Sequence, residues 1–331
     1  MASNRSSTDL ESAIGVLGSS PLDTVKTIIS CLATLGNSAV IVVMLVRHKV
    51  FSSFTNRLIL HQSFIDAAAG VVFYCSTVLK RPSTVVVSQE GNTADRLVCS
   101  FLFSDYFLWS LNVTSTYNLV IISLERFMGT CHPLKHRKHM NTTLKLGAVV
   151  TSWGVGFVYS FHLTLLVEPI RGRCQFVAVS HAMKICIGVL AFTVEYVLPI
   201  LTMVYSYGKI LIALTKNLVN PVTPRQHFVH RAKKNVLVTL LMVTTVFVIC
   251  WTPSECYYVG VLVLNLRENE TLYISFTTLL ACNLFINPVI YSFIYHNFRF
   301  HLRDLVLGRF HRNRVENIAM NRRRSVNIGL P

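Results

Sequence analysis

The sequence predicts an all-α membrane protein: a bundle of seven transmembrane helices with a short amphipathic helix after the last. Three observations carry this. The 331 residues are 52% hydrophobic and only 14% charged, where a soluble domain carries about a quarter of charged residues. The apolar residues fall in seven blocks, each near the roughly 20 residues a helix needs to cross the bilayer core. Between the blocks, Lys and Arg gather on alternate connections.

Taken in order, residues 1–23 are polar and Ser-rich, an N-terminal tail without the basic stretch and short apolar run of a cleavable signal peptide. The first apolar block is therefore expected to act as its own insertion signal. The blocks lie at about 24–46, 56–79, 97–124, 144–167, 183–207, 235–264 and 272–295. Their connections are short and leave no room for a second folded domain, so residues 24–296 read as one transmembrane domain. Over 297–310, Phe298, Leu302, Leu305 and Val306 share a helical face and Arg299 and Arg303 lie elsewhere, the pattern of a helix resting in the membrane surface. Residues 311–331 form a basic tail.

The basic residues set the orientation. With the N-terminus outside, the inner side holds Arg47, Lys49, Arg57, Lys135, Arg137, Lys138, Lys145, Lys209, Lys216, Arg225, Arg231, Lys233, Lys234 and eight Arg beyond 298, or 21 of the 31 Lys and Arg. Cytoplasmic loops favour such residues. The net charge of +16 is thus read as a topology signal with attraction to anionic inner-leaflet lipid, not as a nucleic-acid surface. In this orientation the sequons at Asn4 and Asn269 fall outside and are expected glycosylation sites, while the one at Asn141 falls inside. Of nine cysteines, Cys99 at the outer start of the third block and Cys174 in the outer loop face the oxidising compartment, where a disulfide persists. They are expected to bridge and pin the outer loop over the bundle; two free thiols are the alternative.

Charge inside the membrane is a functional candidate by default. Asp66 sits midway along the second block, and Asn37, Ser115, Asn283 and Asn287 are polar residues that could share its site. Two readings stay open: an oxygen-rich cation site, or a hydrogen-bonded network joining helices. Pro199, Pro253 and Pro288 lie inside the last three blocks, where each removes a backbone hydrogen bond and bends the helix. Three such bends in succession suggest a bundle with two arrangements.

These stretches together resemble the rhodopsin-like (class A) G-protein-coupled receptors. They are "GNSAVIV" with Asn37, "SFIDAAAG" with Asp66, "SLERF" with Arg126 and Pro133 seven residues on, Trp153, Pro199 with Tyr207, "FVICWTP" with Phe247, Trp251 and Pro253, and "NPVIY" with Tyr291 followed by "NFRF". They follow the family's order over roughly residues 25 to 310. The resemblance implies a plasma-membrane receptor that binds an extracellular ligand and activates a heterotrimeric G protein. Glu125 would pair with Arg126 at rest, and Arg126, Pro133, Tyr207 and Tyr291 would serve G-protein coupling, the two tyrosines turning inward on activation. Thr116, Pro199, Phe247, Trp251, Pro253, Asn287 and Pro288 would form the core switch. Asp66, Ser115, Asn283 and Asn287 would form a pocket for an allosteric sodium ion, with no other cofactor.

Several positions depart from the family pattern. Phe127 replaces the commoner Tyr, and Lys233 stands where many relatives carry an acid that holds the motif Arg, which predicts a loose inner latch and measurable basal activity. Cys99 lies two residues further from Arg126 than is usual, so the outer turn of the third helix should be wound differently. No Cys follows Cys282 to carry a palmitoyl anchor. Leu108 stands where amine receptors place their Asp, and Ala281 where opsins place their Lys.

Acids nonetheless point toward the outer pocket. Glu195 lies one turn before Pro199 and Glu255 one turn after Trp251. With Asp105 they could form a cation-seeking cavity lined by Leu108, Trp109, Asn112, Tyr196, Tyr258 and Thr277. The ligand expected is cationic: a peptide with Arg, Lys or a free amine, or else a small amine held in a non-standard way. The alternative is that the glutamates are protonated or hydrogen-bonded within the core. His132, His136 and His139 read as solvated loop residues rather than a metal site. Competing classes lack their signatures. Repeated halves of a transporter are missing, and His61 and His162 fall on different helices without the partners of a membrane-embedded hydrolase.

Overall fold

The computed structural model describes residues 21–80, 87–88, 91–216, 224–295, 298–305 and 307–308, except the side chains of 79, 139, 214, 216 and 224–236. Asn4, Val306, the basic tail and the side chain of Lys233 lie outside the described residues.

Among the described residues, seven helices are long and apolar enough to cross a membrane. The first is Pro21–Val46 and the second Phe54–Tyr74, extended by a π-turn at Cys75–Leu79. The third is Tyr106–Cys131, preceded by Thr93–Leu97 and a π-helical stretch Val98–Phe103, and followed by a short inner helix Pro133–His139. The fourth is Thr142–Ser160 with a 3₁₀ end Phe161–Leu165. The fifth runs from His181–Ala191 through a π-stretch Phe192–Val197 to Leu198–Lys216; the sixth is Pro224–Leu262 and the seventh Glu270–Phe293. Residues 298–305 are again helical. The fifth helix runs past its apolar block at its C-terminal end and the sixth at its N-terminal end, because a block marks the bilayer's thickness and a helix need not stop where water begins.

Side-chain caps define the helix starts. Ser53, Asn141, Ser180 and Asn269 each accept a hydrogen bond from the backbone N–H three residues on, at 3.3, 2.8, 3.3 and 3.1 Å, which satisfies one of the orphan donors of a first turn. Two sequon asparagines, 141 and 269, are thus helix caps, and Asn269 is exposed.

The third helix is the hub and packs against the second, fourth and fifth, while the seventh closes the ring by packing on the sixth and first. Small residues allow the closest crossings. A Cβ on Gly156 of the fourth helix would come within 2.6 Å of the Ser110 carbonyl and 2.9 Å of the Thr114 amide on the third. Polarity is inverted relative to a soluble protein. Asn37, Gln62, Asp66 and Asn118 are fully buried, whereas Leu35 and Val158 are 69% and 77% exposed on the outer faces of their helices.

The internal prolines differ in their surroundings. Pro288 lacks the N–H that would bond the carbonyl of Leu284, and Asn37 Nδ2 donates to that carbonyl at 2.8 Å and to Ala33 at 2.8 Å, the neighbouring-helix rescue that lets proline persist in a bilayer. Pro199 lies two residues past the end of the π-stretch of the fifth helix, a local widening of the helix beside the missing bond. Pro253 lies inside a continuous sixth helix.

At the outer end, Cys99 and Cys174 form a disulfide. It joins the π-stretch of the third helix to an antiparallel hairpin, β1 (Val167–Ile170) and β2 (Arg173–Phe176). Its two-residue turn has φ of 50° at Arg171 and 78° at Gly172, the mirror-image turn that suits twisted strands. The two extra residues between Cys99 and Arg126 are taken up by those π-turns and by a break at Asp105, which has φ of 58°.

Candidate functional site

Three polar clusters sit at successive depths. At the inner end of the third helix, Glu125 is 5% exposed and Arg126 stands at the bundle's edge. Arg126 Nε donates to Glu125 Oε2 at 2.6 Å and Nη2 to Oε1 at 2.7 Å, a forked pair that fits the planar guanidinium. Thr55 Oγ1 also donates to Oε2 at 2.6 Å, and His136 Nε2 approaches Oε1 at 3.3 Å. His136 is therefore turned inward from its loop rather than free in solvent. Pro133 opens the inner helix that carries it. Above them Tyr207 and Tyr291 are 3% and 1% exposed, so both rings already lie within the core. Phe247 packs on Trp251 with ring centroids 5.1 Å apart. Thr116 is buried, its hydroxyl donated to the Asn112 carbonyl at 3.0 Å.

At mid-depth, Asp66 accepts Ser115 Oγ at 2.7 Å and Gln62 Nε2 at 3.0 Å on Oδ1, and Gln62 Nε2 at 3.1 Å and Asn287 Nδ2 at 2.9 Å on Oδ2. Ser115 and Asn287 thus meet Asp66. Asn37 does not, because the carbonyl freed by Pro288 claims it, and among the described residues Asn283 is buried without a hydrogen bond to Asp66. Sequence reasoning missed Gln62, although it stands four residues before Asp66, the helical spacing at which Gln–Asp side chains meet. It missed Asn118 too, and it set His61 aside as a residue without partners. Asn118 Nδ2 donates to Gln62 Oε1 at 2.8 Å, His61 Nδ1 lies 3.0 Å from Asn118 Oδ1, and Trp153 Nε1 donates to His61 Nε2 at 2.8 Å. His61 accordingly has partners on two other helices. Since amide and hydroxyl hydrogens face the carboxylate where a cation would need oxygens, the residues as arranged do not fit a sodium ion.

In the outer half, Glu195 and Glu255 are 8% and 3% exposed and lie within electrostatic range of each other. Glu195 Oε1 accepts the Tyr159 hydroxyl at 2.8 Å; Tyr159 went unnoticed in the sequence because nothing there shows that the fourth helix turns it toward the fifth. Glu255 Oε2 is buried without a hydrogen-bond partner among the described residues. Tyr258 lies near both acids. Tyr196 stacks on Phe192 at 5.5 Å and bonds Thr252 across to the sixth helix. Asp105, expected beside these acids, is instead paired with Lys80 at the outer end of the second helix. The side-chain amide of Asn112 and the hydroxyl of Thr277 bond back to their own helices, to Leu108 at 2.9 Å and Tyr273 at 2.8 Å, while Leu108 and Trp109 are half-buried against the apolar core.

The comparisons agree with this architecture. The family model described as 7 transmembrane receptor (rhodopsin family) matches residues 36–291. The chain is similar to galanin receptor 2b of Danio rerio, 26% identical over 308 residues that cover 88% of this chain and 77% of that one. It is also similar to trace amine-associated receptor 2 of Rattus norvegicus, 27% identical over 296 residues covering 86% and 84%, and to galanin receptor type 2 of Homo sapiens, 26% identical and covering 85% and 71%. With seven membrane helices and a family match over most of its length, the chain belongs to the rhodopsin family of seven-transmembrane receptors, multi-pass membrane proteins and not enzymes.

Proposed function

We propose that this receptor binds a cationic extracellular ligand in its outer half, with Glu195 and Glu255 as the anchoring charges, and activates a heterotrimeric G protein through Arg126. The observation that carries the ligand class is the buried, unpartnered oxygen of Glu255. An uncompensated buried charge costs about 3–5 kcal/mol, and a cation arriving from outside would offset that cost. The similarity to galanin receptors, receptors for a peptide, favours a peptide bearing Arg, Lys or a free amine. Leu108, where amine receptors place their anchor, points the same way. A small amine seated on the glutamates is the second reading, supported by the likeness to trace amine-associated receptors.

The basic inner loops and the Cys99–Cys174 disulfide at the opposite end support an N-terminus outside the cell. Ligand binding would favour a bundle arrangement in which the sixth helix moves at Pro253 and Arg126 leaves Glu125. A ligand can shift that equilibrium only by its differential affinity for the two states. With Lys233 in place of an acid, the resting latch rests on Glu125, and a basal signal is expected.

The test is cAMP and calcium output from cells expressing the wild type, Arg126→Ala, Glu195→Gln and Glu255→Gln, without ligand and then against panels of cationic peptides and small amines. A basal signal lost in Arg126→Ala supports coupling through that residue. A panel agonist whose potency survives both glutamine substitutions sinks the cationic reading.

A further inference from the structure

We propose that the side-chain amide of Gln62 occupies the place on Asp66 that a sodium ion would take, so that the bundle is held at mid-depth by an internal hydrogen-bond chain and does not sense sodium. A carboxylate offers about four lone-pair sites. Four donor contacts reach Asp66: two from Gln62 Nε2 at 3.0 and 3.1 Å, one from Ser115 at 2.7 Å and one from Asn287 at 2.9 Å. Gln62 Nε2 also donates to the Ser115 oxygen, so that ligand atom is engaged as well. A hard cation needs oxygens turned toward it, and here it would meet N–H groups.

An amide can be turned over with little change of shape, so its direction must come from its partners. The chain begins at the Trp153 indole, which can only donate, to His61 Nε2 at 2.8 Å. An accepting Nε2 leaves the imidazole hydrogen on Nδ1, 3.0 Å from Asn118 Oδ1. Asn118 then presents its nitrogen, to Gln62 Oε1 at 2.8 Å and to the Leu58 carbonyl at 3.0 Å. With its oxygen engaged, Gln62 turns its nitrogen to Asp66. Reversing Gln62 alone would set donor against donor at Asn118 and acceptor against acceptor at Asp66, leaving buried groups unpaired. The direction is thus fixed from the fourth helix, through the second and third, by a group that cannot accept.

The experiment uses the full chain in lipid nanodiscs. Its unfolding midpoint is read from intrinsic tryptophan fluorescence, which follows the buried Trp251, in sodium, potassium or choline chloride at equal ionic strength. The wild type is expected to give the same midpoint in all three salts. In Gln62→Leu, Asp66 and Ser115 are released, and the midpoint should rise by several degrees in sodium alone; Gln62→Leu combined with Asp66→Asn should lose that rise. A sodium-specific rise in the wild type overturns the proposal, and so does a folded Gln62→Leu that ignores sodium. Should Gln62→Leu fail to fold, Asn118→Ala keeps the amide but frees its direction. A smaller sodium-specific rise there supports the proposal, and its absence overturns it.

Discussion

Asp66 and Glu255 are nearly equal in exposure, at 0% and 3%, and opposite in surroundings. Asp66 is ringed by donors from three helices, its own, the third and the seventh. Glu255 has a buried oxygen that no described group reaches, and its neighbouring acid Glu195 is held by one tyrosine. The bundle itself supplies Asp66 with its partners and leaves one oxygen of Glu255 open. A hydropathy plot scores the two acids alike, so the difference lies wholly in what the packing brings to each.

Substitutions can break this contrast. The largest effect is expected from Glu255→Gln, which should lower agonist potency about a hundredfold in a second-messenger assay, since removing one member of a buried charge pair costs about 2–5 kcal/mol. The same change should not lower the unfolding midpoint of the unliganded protein, because no internal bond is lost. Asp66→Asn should behave in the opposite way. It turns an amino group toward surrounding donors and should cost about 2–3 kcal/mol of stability, seen as a depressed midpoint. Asn37→Ala, which leaves the Leu284 carbonyl bare, should cost about 1–2 kcal/mol in the same measurement. The smallest effect belongs to Trp153→Phe, about 0.6 kcal/mol for one interhelical hydrogen bond in a membrane. Its diagnostic value is coupling: a double-mutant cycle with Gln62→Leu should be non-additive although the two side chains do not touch.

The fold was legible because a bilayer imposes it. Apolar blocks of fixed length, basic inner loops and three internal prolines are one-dimensional signals, and the spans found follow the blocks except where helices continue into water. The site was legible in part. Asp66, Ser115 and Asn287 come together, and so do Glu125 and Arg126. Partner choice was not legible, since it depends on the rotation and depth of each helix. Asn37 answers a carbonyl freed by a proline 251 positions further along the chain, and Asp105 pairs with a lysine at a helix end. Gln62 and Asn118 carried an available signal: each stands within one turn of a residue already singled out, Asp66 and Ser115, on the same face.

The crossing at Gly156 also bears on how natural variants of this receptor should be ranked. Scored by hydropathy, an alanine there is among the mildest changes a membrane helix can carry. Scored by distance, its one added carbon meets two backbone atoms of the third helix, which cannot rotate away as a side chain could. A missense change at this codon should therefore remove the receptor from the cell surface more thoroughly than most losses of charge in the loops, and counts of surface copies per cell would show it.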